Sequence, residues 1–292
     1  MRPLMTTFIR SFARGLAPAL ICLISGGLSS CEDDLTSPQY QEYVGATPVD
    51  LSCRPNLDGQ IDAEEIRLPL DTTASYLVSP VGEIRTIDLR GRDEGGIRVW
   101  DFSVDYASDQ RVDLGAIDIS ERWYASHFDQ RSFAVAVDPA SKLEAVYRYD
   151  ATRLSLLGFA SQVESPAEGQ TLLIFEEALE YYRLPLKSGM SWESVGEILN
   201  GVYRGIPFAA RYTYAFTVEV MGTLILPDVR FSQAHMVRQT LTINPLVGAV
   251  TTHRQVSYMF ECFGEVARVT SHLDEPKDQF TEAMEVRRLG LN

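Results

Sequence analysis

The sequence predicts an all-β protein built from antiparallel curved sheets, as a sandwich or a half-barrel, with only a few short helical turns. The clearest support is the segment Arg211–Val220, where apolar and polar residues alternate with the period of two typical of a half-buried strand. Its apolar face consists of Tyr212, Tyr214, Phe216, Val218 and Val220. Many similar segments follow one another with short turn signals between them, which favours antiparallel pairing. The stretches that fit helical turns are Glu64–Ile66, Glu176–Tyr181 and Asp278–Val286.

Residues 1–30 have the pattern of a lipoprotein signal peptide. Three arginines and no acids accompany an apolar stretch from Gly15 to Leu28, which is short and interrupted by Pro18. The stretch ends in Leu28-Ser29-Ser30-Cys31, which has the form of a lipobox, where bacterial processing acylates the cysteine and cleaves before it. We therefore expect a mature chain that begins with lipidated Cys31.

An acylated Cys31 would attach the protein to a lipid bilayer, since more than one acyl chain gives durable anchoring. The expected location is the cell envelope, periplasmic or surface-facing, with the outer membrane preferred over the inner. Residues 31–52 carry an acidic cluster and little apolar periodicity, and they are predicted to form a flexible tether. Removal of residues 1–30 makes the formal net charge of −14 more negative by three. So acidic a chain is not expected to bind nucleic acid.

The cysteines left after Cys31 is acylated are Cys53 and Cys262, and an oxidising envelope compartment predicts that they form a disulfide. The bond would close a loop of 209 residues. The chain-entropy model gives such a loop at most roughly 5 kcal/mol of stabilisation. The alternative is two separate buried thiols. Cys262 continues the alternation of Val256, Tyr258 and Phe260 and is therefore predicted to point at the core.

The chain after the tether is predicted to form an N-terminal β region, 53–165, and a C-terminal β region, 166–292, packed on the first. Strands predicted in the two regions are Ile97–Val104, Ser132–Val137, Leu143–Tyr149, Thr152–Phe159, Thr171–Phe175, Arg211–Val220 and Val256–Cys262. Along the run that contains the last of these strands, His253, Gln255, Ser257 and Glu261 occupy the other face. His253 is assigned to a solvent face or a strand end.

The segment Arg54–Glu65 resembles the calcium-binding loop of an EF-hand. Aligned on Gly59, the oxygen ligands would be Asn56, Asp58, Gln60, Asp62 and Glu65. The first position is Arg54, a cation where the loop normally has an aspartate, and no flanking helix pair is evident. The alternative is an Asx-rich turn that leads into the first strand. Apart from weakly bound calcium at this loop, no cofactor is expected.

No catalytic signature is evident in the sequence. It lacks a G-x-S-x-G elbow, a phosphate loop and a dinucleotide fingerprint, and its four histidines do not have metal-binding spacing. We therefore do not expect an enzyme. The abundant aromatic residues would pack the core or, inside a curved sheet, would line a cavity for a lipid or another hydrophobic ligand.

Several stretches together resemble a family of uncharacterised lipoproteins of myxobacteria and related Gram-negative bacteria. They are the lipobox, Cys53 with Asn56–Gly59, Val99–Ser103, Trp123–Ala125 with Phe128, Leu184–Leu186 with Gly189 and Trp192, Gly222–Leu224 with Pro227 and Phe231, and Glu261–Ala267. The resemblance implies an envelope lipoprotein with paired cysteines and carries no activity. Pro185–Ala267 is more loosely similar to periplasmic β proteins that include lipoprotein carriers with an open half-barrel.

The function expected from the sequence is a membrane-anchored structural or interaction module that contacts an unidentified envelope protein. A carrier that binds a hydrophobic ligand in a concave sheet is the first alternative. A weakly calcium-stabilised surface or adhesion component is the second. The interior distinguishes the first two, because a scaffold is packed solid whereas a carrier has an apolar cavity of ligand size.

Overall fold

The computed structural model describes residues 53–137 and 142–291. Their regular secondary structure is almost all β-strand and mostly antiparallel, which confirms the predicted class. These described residues form one compact unit. The strands are β1 Gln60–Ile61, β2 Thr72–Val78, β3 Arg85–Thr86, β4 Arg92–Glu94, β5 Ile97–Asp101, β6 Gln110–Asp118, β7 Phe133–Ala136, β8 Leu143–Tyr149, β9 Arg153–Ser161, β10 Leu172–Arg183, β11 Leu186–Lys187, β12 Ser191–Tyr203, β13 Ile206–Ile225, β14 Arg230–Pro245, β15 Thr251–Phe260, β16 Gly264–Thr270, β17 Glu282–Ala283 and β18 Glu285–Leu289. The helical elements described are α1, Ala63–Ile66, and a single 3-10 turn, Ala125–His127.

Twelve of these strands form one sheet that closes on itself, which we call the ring. Its order is β12-β10-β9-β8-β7-β6-β2-β18-β16-β15-β14-β13, and β13 pairs back onto β12. Closure depends on the length of β13. Its first half pairs with β12, and its last residues, Gly222–Ile225, pair in parallel with β5 outside the ring.

Inward-facing side chains of β13 follow the predicted alternation. Tyr212, Tyr214, Phe216 and Val218 are buried in a core inside the ring. Val220, assigned to the same face, is instead exposed. The pairing with β14 shifts register between Val218 and Met221, and this bulge turns Val220 outward.

One end of the ring, here called the closed end, is covered by the segment 53–70. Ile61 and Ile66 of this segment pack with Leu186 in the inner core, and β1 pairs with β11. The Tyr149 hydroxyl, at the end of β8, donates to the Ile66 carbonyl oxygen at 3.1 Å and accepts from the Leu68 N–H at 3.4 Å. The covering segment is therefore held by both apolar packing and hydrogen bonds.

The disulfide predicted between Cys53 and Cys262 is present at this end, with a Cα–Cα distance of 5.5 Å. The predicted orientation of Cys262 is wrong. β15 ends at Phe260, and Cys262 lies half-buried in the following turn with a φ of 66°. A residue in this left-handed conformation does not continue the pleat of a strand.

A second core lies on the outer face of β13–β16 and β18, where residues 79–109 cover the ring. Trp100 and Tyr258 pack edge to face there, with ring centroids 5.0 Å apart. The buried Arg288 guanidinium donates to the carbonyl oxygens of Phe102 at 2.6 Å and Val104 at 2.5 Å, and it pairs with Asp109. These charge-assisted bonds fix the covering segment on β18.

Two of the three predicted helical turns are wrong. Glu176–Tyr181 belongs to β10, and Asp278–Val286 contains β17 and the start of β18. β10 shifts register against β9 between Ile174 and Leu179, which leaves three consecutive exposed residues. Such a bulge removes the alternation that identifies a strand. The third prediction, Glu64–Ile66, is confirmed by α1.

The ring has a seam between β6 and β7, where two residue pairs join the strands, at Ile117–Ala134 and Asp118–Phe133. The preceding residues of β6 pair with β2 and separate from β7. Arg268 and Arg287 both reach the Val137 carbonyl oxygen across this gap, each at 3.4 Å. Side chains rather than backbone therefore close the ring along part of the seam.

Candidate functional site

The end of the ring opposite the closed end, here called the open end, leads into a cavity of about 750 Å³. This volume lies within the range of ligand pockets, which is roughly 300–1,000 Å³. The open end is formed by the β12–β13 and β14–β15 hairpins, among others, and their residues Tyr203, Phe208, Pro245 and Thr251 line the cavity. The inner wall has two chemically different sides.

One side of the cavity is aromatic and aliphatic and comes from β8, β9, β10 and β13. Its principal residues are Tyr147, Phe159, Leu173, Phe208, Tyr212 and Tyr214. Phe159 and Tyr212 have ring centroids 6.3 Å apart. Burial raises the pKa of Tyr147 and of Tyr214 well above the ordinary tyrosine value, so both phenols stay neutral. This wall can bury the apolar body of a ligand.

The other side carries a strip of polar side chains from β14, β15, β16 and β18, which we call the polar strip. It consists of Gln239, His253, Gln255, Arg268, Thr270 and Glu285. His253 is exposed, as its assignment to a solvent face predicted, and it also lines the cavity. The outer face of β15 is occupied by Val256, Tyr258 and Phe260, which pack in the second core, so the polar residues of the strand turn inward.

A hydrogen-bonded chain connects the polar strip to a half-buried ion pair. The Gln255 amide donates to the Ser257 hydroxyl at 3.0 Å, and that hydroxyl donates to Glu265 at 2.7 Å. The second Glu265 oxygen lies 2.8 Å from Arg268 Nε. Burial alone would lower the pKa of Arg268, but the negative charge of Glu265 raises it above its ordinary value. The cation is therefore permanent and positioned at the cavity wall.

A second ion pair, between Arg287 and Glu285 at 3.1 Å, lies beside the first. Burial and then the like charge of Arg268 lower the pKa of Arg287. Glu285 faces the cavity together with Arg268. The polar strip therefore offers a ligand both a hydrogen-bond donor of fixed charge and a carboxylate acceptor.

Below the polar strip, Tyr181 separates the large cavity from the closed end. Its hydroxyl donates to Gln239 Oε1 at 2.9 Å, and its ring packs against Tyr147 and Phe216. A smaller cavity of about 110 Å³ lies next to the seam and shares Tyr181 and Arg268 with the large one. The larger cavity therefore lies toward the open end, and the smaller one reaches the covering segment at Ile66 and Leu68.

The loop predicted to bind calcium lies outside the cavity, at the closed end, and its side chains bond to one another. Asn56 donates its amide N–H to Glu65 at 2.8 Å, and the second Glu65 oxygen accepts from the Asp62 N–H at 2.9 Å. Asp58 accepts from the N–H of Gln60 at 3.1 Å and from its side-chain amide at 3.2 Å. These contacts are those of an Asx-type turn leading into a capping box. Calcium binding here stays a prediction.

Two buried polar residues near this loop were not predicted from the sequence to be functional. Glu261 accepts from the Leu57 N–H at 2.7 Å through one oxygen. His235 is fully buried, and neither of its ring nitrogens has a partner among the residues that the structure describes. Within the same part of the chain, no group of three or more His, Cys, Asp or Glu side chains has metal-site geometry.

Cys31 and the proposed signal peptide and tether lie outside the described residues. Among residues 53–137 and 142–291, no helix is long and apolar enough to cross a membrane. Comparisons of the chain with protein-family models, with curated proteins and with solved structures found no match.

Proposed function

We propose that this protein is a lipid-anchored carrier of the cell envelope that holds an amphipathic, lipid-like ligand inside its ring. The observation that carries the proposal is the cavity of about 750 Å³ with one aromatic wall and one polar strip. Protein cores are normally close-packed, and a purely structural module has no need of a hollow interior. The cavity therefore favours a carrier over the scaffold expected from the sequence.

The two walls support a ligand with an apolar body and a polar head. Tyr212, Phe159 and Leu173 would contact the apolar body, and Arg268 and Glu285 would contact the head. Because the polar strip presents a cation and a carboxylate together, the best head group is one that both accepts and donates hydrogen bonds. The protein is proposed to bind its ligand and not to transform it.

Attachment to the envelope is proposed from the lipobox that ends in Cys31 and from the disulfide, which is typical of oxidising compartments. Replacement Cys31→Ser should move the protein from the membrane fraction to the soluble fraction and abolish its labelling by a fatty-acid analogue. Unchanged labelling of the variant would exclude acylation at this residue.

The carrier proposal is tested with a chain that starts at Glu32 and therefore contains the whole compact unit. Titration with a fluorescent fatty acid should give saturable binding of one probe molecule per chain. The variant Leu241→Trp, which fills the cavity, should weaken binding at least about tenfold. The matched control is Leu199→Trp, where the added ring lies at an exposed position on β12 and binding should be unchanged.

The comparison of the two tryptophan variants decides the proposal. If Leu241→Trp and Leu199→Trp bind the probe equally well, the probe does not occupy the cavity. Native mass spectrometry of protein purified from envelopes gives an independent check. A non-covalent adduct that disappears in Leu241→Trp and persists in Leu199→Trp would identify the natural ligand by its mass.

A further inference from the structure

Two hairpin tips at the open end carry exposed apolar side chains beside the mouth of the cavity. On the β14–β15 hairpin, Leu246 is 82% exposed, Val247 is 88% exposed and Val250 is 53% exposed. On the β12–β13 turn, Ile206 is 68% exposed and Tyr203 is 40% exposed. We call these five residues the apolar rim. Leu246 and Val247 are among the most exposed large apolar side chains of the described residues.

The apolar rim is held in place. The Leu246 N–H donates to the Ala209 carbonyl oxygen at 2.8 Å, which ties one hairpin to the other. The Gly205 N–H donates to the Gln170 carbonyl oxygen at 2.7 Å, which joins the β12–β13 turn to the segment just before β10. The exposed side chains are therefore presented at fixed positions on a closed sheet.

The rim continues directly into the apolar wall of the cavity. Tyr203 belongs to both, and Pro245 and Ala249, which line the cavity, lie next to Leu246 and Val250 in the chain. An apolar ligand that moves from the rim to the cavity would remain in contact with apolar side chains. Transfer through water would instead expose its whole apolar surface.

The chemistry of the rim fits the interface of a lipid bilayer. Residues 245–252 contain no charged side chain, although the chain as a whole is 23% charged. The β12–β13 turn adds a tyrosine and Arg204, whose guanidinium lies 5.4 Å from the Tyr203 ring centroid. Aliphatic side chains with a flanking tyrosine and arginine are typical of segments that sit at the membrane–water boundary.

Two narrow, neighbouring turns beside an opening are a poor surface for a protein partner, since specific protein interfaces usually bury at least about 1,200 Å² in total. The strong negative charge of the chain disfavours anionic lipid. We propose that the apolar rim inserts into the surface of a neutral phospholipid bilayer, so that the mouth of the cavity opens onto lipid. The role of this contact in ligand transfer rests on the proposed function, whereas the contact itself is inferred from the side chains of the rim.

The test is flotation of the chain from Glu32, which lacks the acylation site, with vesicles of phosphatidylcholine. The wild type should float with the vesicles, and Leu246→Glu should reduce partitioning about tenfold or more, as expected for one inserted aliphatic side chain. Leu70→Glu makes the same replacement at an exposed leucine of the closed end and should leave flotation unchanged. In solution without vesicles, Leu246→Glu should bind the fluorescent fatty acid as the wild type does.

Three results would overturn the inference. The first is that the wild type fails to float with the vesicles. The second is that Leu70→Glu reduces flotation as much as Leu246→Glu does. The third is concentration-dependent dimerisation of the wild type that Leu246→Glu abolishes, which would assign the apolar rim to a second copy of the chain. Flotation that fails while the fatty acid still binds would leave the carrier proposal intact. Flotation without fatty-acid binding would refute the carrier and retain the bilayer contact.

Discussion

The two ends of the ring are built from the same strands but differ in how their inward side chains are packed. At the closed end, Ile61, Ile66 and Leu186 are almost completely buried, and a disulfide fastens the covering segment. At the open end, Tyr212 and Leu241 face a cavity of about 750 Å³. Along one strand, the inward side chains therefore change from core to cavity wall. The disulfide lies at one end of the ring and the large cavity at the other.

Removal of the disulfide should have the largest effect on the difference between the two ends. The double variant Cys53→Ser and Cys262→Ser should lose about 2–5 kcal/mol of unfolding free energy, because the bond closes a loop of 209 residues. Urea denaturation measures the loss, and wild type unfolded under reducing conditions is the control. Fatty-acid binding by the folded variant should be preserved. A loss below about 1 kcal/mol would mean that packing alone holds the closed end.

A matched pair of leucine truncations sharpens the comparison. Leu186→Ala removes a fully buried side chain and should cost about 2–5 kcal/mol of unfolding free energy. Leu241→Ala removes a half-buried side chain that already borders the cavity, and it should cost about 1 kcal/mol or less. Thermal and urea unfolding of both variants measure the difference. Equal losses would show that the open end is packed as tightly as the closed end.

The smallest expected effect is a difference in pH dependence between two histidines. Burial lowers the pKa of His235, and it lowers the pKa of His253 against the opposing charge of Asp274. As the pH falls through about 6.5, the unfolded state gains a proton that the folded state does not, so stability decreases. His235→Met should flatten this decrease between pH 7 and pH 5. His253→Met should have less effect, because His253 is exposed to the cavity.

Glu65 has the opposite effect on the pH dependence of stability. Burial, the largest cause, raises the pKa of its carboxyl, so protonation at lower pH favours the folded state. Denaturation curves at several pH values for the wild type and both histidine variants separate these contributions. If His235→Met keeps the pH slope of the wild type, the buried histidine does not titrate in this range.

The sequence was sufficient for the fold class and for the inward face of β13, because its aromatic alternation is strong. It was insufficient for β15. Alternation separates Gln255 and Ser257 from Val256 and Tyr258 but does not say which face is inside. Here the apolar face packs under residues 79–109, and the polar face lines the cavity. A contact between parts of the chain so far apart in sequence leaves no local pattern.

The candidate site was missed for the same reason. Arg268, Glu285 and Gln239 lie on three different strands and converge only when the ring closes. The misassigned helical turn at Glu176–Tyr181 has a different cause, namely a bulge that interrupts the alternation of β10. The disulfide was predicted correctly from the number of cysteines and an expected oxidising compartment, without any knowledge of long-range geometry.

Two backbone pairs hold the seam between β6 and β7 together. Beyond the pairs at Ile117 and Asp118, no described backbone pair joins β6 and β7. Widening the ring there would break the contacts of Arg268 and Arg287 with the Val137 carbonyl oxygen. A ring that widened along this seam would have a larger interior. The proposed carrier would then accept apolar bodies of several lengths and would select its ligand by the head group.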